Sequence, residues 1–273
     1  MIDLVYIILM RVTQMFAVWC VLLAWRWTAD RLGCMGSVVF IVPLWGTLML
    51  AASEVALCRR HAFITQYLSA QGMLARLLRG KTLLLTWQGV KALFFTLILL
   101  VSALLFDVEQ WLVLLADILL MAVLLSMFTS LLRGEVKSSY REPLAHHWTH
   151  WVNTLLLWLV SVLVLFFSAQ EDYTGMAWDE VVRYGASKVL VACDAIAVLT
   201  RISAVSEALA WWAAQNILVA LEQPMQVLMA WLAFIAMFGL SFLSAWAYSR
   251  ALTGVLSRPW RVPTSNGLST QKR

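Results

Sequence analysis

Long apolar runs separated by short polar stretches dominate the chain. Six runs stand out, at residues 4–25, 32–57, 82–106, 111–132, 152–169 and 225–248. A helix needs about 17–25 apolar residues to cross a hydrocarbon core of about 30 Å, and each run qualifies. The pattern predicts an all-α fold: a polytopic integral membrane bundle of about six transmembrane helices, forming one domain over residues 1–256. Residues 257–273 carry Pro259, Pro263, Ser265, Asn266 and Gly267 and predict a flexible cytoplasmic tail. The third and fourth runs are joined by Asp107-Val108-Glu109-Gln110, which reads as the acidic turn of a helical hairpin.

Two stretches are periodic without being continuously apolar. In 62–81, Phe63, Tyr67, Leu74, Leu77 and Leu78 recur at helical spacing, which predicts an amphipathic surface helix. In 179–223, Ser187, Asp194 and Arg201 lie 4, 11 and 18 residues after Arg183. At about 100° per residue these positions return to nearly one direction and give a narrow polar stripe. A crossing helix here would place the basic C-terminus outside, so an interfacial or re-entrant segment is expected.

Composition agrees. The 273 residues are 62% hydrophobic and 13% charged, against roughly 25% charged in a soluble domain. The net charge of +5 is concentrated beside apolar runs, so it speaks to topology and not to nucleic acid, which is not an expected partner. Thirteen of the twenty Lys and Arg residues fall in the segments after the second, fourth and last runs. The positive-inside rule then places both termini in the cytoplasm, and the short loops suggest a bacterial inner membrane. The lipid bilayer is a partner by necessity, with anionic headgroups expected at the basic loops. Met1-Ile2-Asp3 lacks a basic leader region, so the first run is expected to be retained. Cys20, Cys34, Cys58 and Cys193 read as free thiols behaving as small hydrophobes. A Cys34–Cys193 bridge on the outer side is open but not indicated. Leu77-Leu78-Arg79-Gly80 and Leu131-Leu132-Arg133-Gly134 match, which reads either as an internal repeat of the kind common in transporters or, preferred in so Leu-rich a chain, as coincidence.

Charges within the runs are the candidate chemistry, because insertion of Arg, Lys or Asp at a helix centre costs about 2.5–3.5 kcal/mol. Arg11, Glu54 and Lys91 fall in the cytoplasmic third, where Glu54 could pair with Arg11 or Lys91. Asp117 lies about 9 Å below the outer end of its run and cannot snorkel. Its candidate partners are Arg183, Lys188 and Arg201 in the outer segment. His146 and His150, four apart, could share a helical face toward a metal, although with few further histidines an interfacial helix entry is preferred. No phosphate-binding loop, nucleophile elbow or zinc-protease motif is present, and no cofactor is expected. The leading expectation is a non-catalytic integral subunit of a larger bacterial inner-membrane assembly for secretion, conjugation or the envelope, with other membrane protein subunits as partners. The alternative is a small transporter or channel using Asp117, Lys91 and Arg11. A membrane enzyme built on His146 and His150 is third.

Overall fold

The computed structural model describes residues 2–67, 82–168, 171–216 and 224–257, and within them finds only helices. These are α1 (Ile2–Thr28), α2 (Cys34–Tyr67), α3 (Thr82–Leu105), α4 (Val108–Leu131), α5 (Ser138–Phe167), α6 (Trp178–Ser187), α7 (Asp194–Gln215) and α8 (Pro224–Leu256). Seven are long and apolar enough to cross a membrane; α6, with ten residues, is not. The chain is thus a polytopic helical membrane bundle. Residues 68–81, which hold most of the amphipathic segment expected at 62–81, lie outside the described residues, as does 258–273 of the expected tail.

Lipid offers no hydrogen bonds, so a spanning segment must satisfy its backbone internally, and the helix does so. The hydroxyls follow the same rule. Thr96, Ser126 and Thr129 each donate to the carbonyl four residues back, at 2.8, 2.9 and 2.6 Å. Indole N–H groups instead tie helices together. Trp25 donates to the Leu100 carbonyl at 3.0 Å and Trp45 to the Gly89 carbonyl at 2.8 Å. Trp25 is fully buried, while Trp27, two residues on, is exposed. The main core gathers α1, α2, α3, α4 and α8 around Met15, Leu22, Leu48, Leu99, Met121 and Leu252.

Three helices outrun their apolar runs. α2 continues ten residues past 57, α8 continues eight past 248, and α5 begins at Ser138 inside the stretch that reads as a polar loop from 133 to 150. In α5 and α8 the added stretch carries buried polar residues, His146, Thr149 and His150 on one and Ser249, Arg250 and Thr253 on the other. Bonds within and between helices offset the loss of water for most of them.

Segment 179–223 is not one helix. α6 ends at Ser187 and α7 starts at Asp194, with a break that contains neither glycine nor proline. Tertiary ties explain it: the Ala192 N–H donates to the Ala29 carbonyl at 3.1 Å, and Cys193 is disulfide-bonded to Cys34. The reading of all four cysteines as free thiols therefore holds only for Cys20 and Cys58. These ties put the start of α7 beside the α1–α2 turn. At its other end, Gln215 bonds the Glu171 carbonyl and the Tyr173 N–H, and Asn216 bonds the Tyr173 carbonyl. Glu171 and Tyr173 follow α5, which brings the chain back to the face that carries the α1–α2 turn. Both ends of α7 therefore share one face, called outer below. α7 lies along that face, over the α3–α4 turn, while α8 runs from it to the opposite, inner face.

Reduction of the bridge, or Cys34→Ser, is expected to loosen the α6–α7 unit by about 3 kcal/mol, since a bridge closing a long loop restricts the unfolded chain most. Protease digestion at the outer face with and without reductant tests this. Equal digestion rates would argue against it.

Candidate functional site

A cluster of polar side chains runs through the bundle where α2, α4, α5 and α8 meet. Its centre is Asp117, near the middle of α4. Asn153, near the middle of α5, donates from Nδ2 to Asp117 Oδ2 at 3.0 Å. The same amide lies 3.5 Å from Ser249 Oγ on α8. Ser249 donates to the His150 carbonyl at 3.2 Å, and its hydroxyl is also 3.2 Å from His150 Nδ1. One turn toward the inner face, His146 Nδ1 sits 3.2 Å from Glu54 Oε2, and both side chains are 5% exposed. Arg250 donates to the Ala51 carbonyl at 3.1 Å and lies over the Trp246 ring. At the inner end, Arg59 Nη2 meets His147 Nε2 at 2.6 Å.

Helical spacing explains the arrangement. His146, His150, Asn153 and Thr154 are offset by 4, 7 and 8 residues, so they share one face of α5. Ser249, Arg250 and Thr253 make the matching stripe on α8. All seven are buried. The close approach of α8 to α2 depends on Gly254: a Cβ there would stand 2.1 Å from the Thr47 carbonyl oxygen.

Hydrogen-bonding capacity is left open along this line. Asp117 Oδ1, Asn153 Oδ1, His150 Nε2, Thr149 Oγ1 and Arg250 Nε are buried without a partner among the described residues. Buried polar groups are paired in the large majority of cases, so this run of open ones singles out the line as the candidate site.

The candidates from the sequence distribute unevenly. Asp117 and Glu54 enter the cluster, but with partners other than those expected. Glu54 meets His146 and not Arg11 or Lys91; Asp117 meets Asn153 and not Arg183, Lys188 or Arg201. Lys91 is exposed over the Trp87 ring, 4.9 Å from its centre, and Arg11 is half-buried on α1. No bond brings either to Asp117. The stripe Arg183, Ser187, Asp194 and Arg201 is divided between α6 and α7, and all four are exposed. Arg183 pairs with Asp179 at 2.9 Å. His146 and His150 do share an inward face, yet each has its own partner. Among the described residues, no group of three His, Cys, Asp or Glu side chains is placed to hold a metal.

The outer cap has its own polar knot. Lys188 bonds Glu171, which also accepts from the hydroxyls of Tyr173 and Tyr184. Partial burial pushes the Glu171 carboxyl up, but these three donors outweigh it and hold the group below the ordinary range.

No family model, curated protein or solved structure matches this chain.

Proposed function

We propose that this protein moves protons through its own bundle, with Asp117 as the carrier. The observation that carries the reading is the buried line Asp117–Asn153–Ser249–His150, continued by His146–Glu54 and Arg250 toward the inner face. An acid at mid-membrane, bonded to an amide and with no cation bonded to it, is costly as a bare carboxylate and comfortable with a proton. Imidazole and carboxyl groups can accept and pass that proton where they are in hydrogen-bond reach, as His146 and Glu54 are, and through a bridging water where they stand one helical turn apart. Lys91 and Arg11 have no part in this mechanism.

The proposed location is a bacterial inner membrane with both termini cytoplasmic. Two observations support that orientation. The Lys and Arg count favours the inner face as the cytoplasmic one, and disulfides form on an oxidising side, which suits an outer face that carries the Cys34–Cys193 bridge. Anionic lipids at the basic inner loops are part of the same proposal.

The test is purified protein in liposomes under an imposed potential, with a trapped pH-sensitive dye. Flux above empty liposomes is expected. Its absence over a range of pH gradients would remove the reading.

A second reading, an integral subunit of a larger assembly, draws on the outer half of α8, where Met225, Leu228, Trp231, Leu232 and Ile235 are all exposed. Such a stripe suits lipid or a neighbouring subunit. Native mass measurement after mild extraction separates the two: defined partners favour the assembly, and a lone chain favours lipid.

A further inference from the structure

Between the hairpin α3–α4 and helices α5, α7 and α8, on the outer side of Asp117, lies a cavity of about 90 Å³, room for several waters. Its polar wall is made of five serines, Gln110 and Glu207. No Lys, Arg or His lines it. Glu207 makes no hydrogen bond among the described residues. Asp107, Glu171 and Lys188 are the charged groups near enough to act on it, two acidic and one basic. Burial, and next the Asp107 carboxylate, push the Glu207 carboxyl up to about 7; above that pH it is a carboxylate, and in a recess with apolar walls its field is focused on cations.

We propose that this cavity is an outward-facing vestibule that collects small monovalent cations, hydronium above all, with Glu207 as the attracting group. Its part in feeding Asp117 rests on the proton-transport reading; its cation preference does not. The register links the two. Leu114 and Leu157 line the cavity, and they sit three and four residues from Asp117 and Asn153. Ser244, also in the lining, sits five residues from Ser249. The cavity floor is therefore about one helical turn, ~5–7 Å, from the buried cluster. Tyr248 occupies the layer between, fully buried, with its hydroxyl donating to the Leu114 carbonyl at 2.8 Å. In this scheme Tyr248, Leu114 and Leu157 form the closed gate, and a proton reaches Asp117 when the tyrosine leaves that carbonyl.

The experiment places a thiol in the cavity. Ser241→Cys is made in a chain carrying Cys20→Ser and Cys58→Ser. Two membrane-impermeant methanethiosulfonates are applied from the outer side at a pH well above the Glu207 value of about 7, one bearing trimethylammonium and one bearing sulfonate. Each rate is divided by that reagent's rate with a free thiol in solution. The cationic reagent is expected to be favoured about tenfold, falling to near parity when Glu207→Gln is added. No reaction with either reagent at both Ser241→Cys and Ser203→Cys, or a ratio that Glu207→Gln leaves unchanged, overturns the vestibule. For the feeding role, Glu207→Gln is expected to lower proton flux several-fold in the otherwise unmodified chain. Undiminished flux overturns that role. A wild-type chain with no flux sinks the Asp117 reading and leaves the thiol rates to decide the vestibule alone.

Discussion

Asp117→Asn is expected to leave a folded protein in the membrane and to lower proton flux about 100-fold or more. The amide has the carboxyl's shape, so its oxygen still accepts from Asn153 Nδ2, now 3.0 Å from Asp117 Oδ2. What it loses is the ability to take and release a proton, and positioned proton-transfer groups are commonly worth 10²–10⁴ in rate. The two roles open to this residue separate here. If Asp117 only docks α4 on α5, the isosteric change keeps both the hydrogen bond and the flux. Proton flux in liposomes, normalised to the amount of monodisperse protein, reads the difference. Persistent flux in Asp117→Asn would assign the residue to helix docking.

Gly254→Ala is expected to be among the most damaging single-methyl changes in the bundle. The new Cβ would meet the Thr47 carbonyl oxygen at 2.1 Å and its carbon at 2.7 Å. Both are backbone atoms of α2, so no side-chain rotation relieves the clash. The helices must separate, and the Arg250–Ala51 bond one turn away would stretch with them. Overpacking of this kind costs about 1–3 kcal/mol and occasionally more; the rigid backbone on both sides puts Gly254 at the upper end. Gly239→Ala is the matched control on the same helix, because nothing lies within 4 Å of an added Cβ there. Helix propensity predicts that the control is neutral or gains about 0.5–1 kcal/mol. Thermal midpoints followed by size exclusion give the comparison. Equal midpoints for the two variants would show that α2 and α8 do not meet as closely as described.

The all-helical membrane fold was legible because lipid imposes one solution on a long apolar run. The hairpin about Asp107 came out within three residues for the same reason, its second helix starting at Val108 and not at Trp111. The site was half legible. Asp117 and Glu54 were conspicuous as charges in apolar surroundings, but their partners were not. His146 stood out only beside His150, as a possible metal ligand and not as the partner of Glu54, and Asn153 did not stand out at all. His146 lies between Lys137, Arg141 and Trp148, a composition that normally faces water, so the first turns of α5 read as loop. Asn153 is one amide among leucines and attracts no notice alone. The signal that finds them is the 4, 7, 8 spacing of His146, His150, Asn153 and Thr154, visible only once the helix is extended back to Ser138. Ser249 and Arg250 were missed likewise, since the apolar run ends at 248 while the helix does not. The division at 188–193 had no local cause in the sequence; a disulfide and one backbone bond impose it, and both are long-range facts.

The bridge from Cys34 to Cys193 makes a ring of the chain between them. Helices α2 to α6 belong to that ring, while α1, α7 and α8 are its tails. A single cut anywhere from residue 35 to 192 opens the ring without releasing a fragment. Under oxidising conditions such a nicked molecule keeps its full mass, and two bands emerge only when the bridge is reduced. A gel run without reductant would therefore score a severed protein as intact.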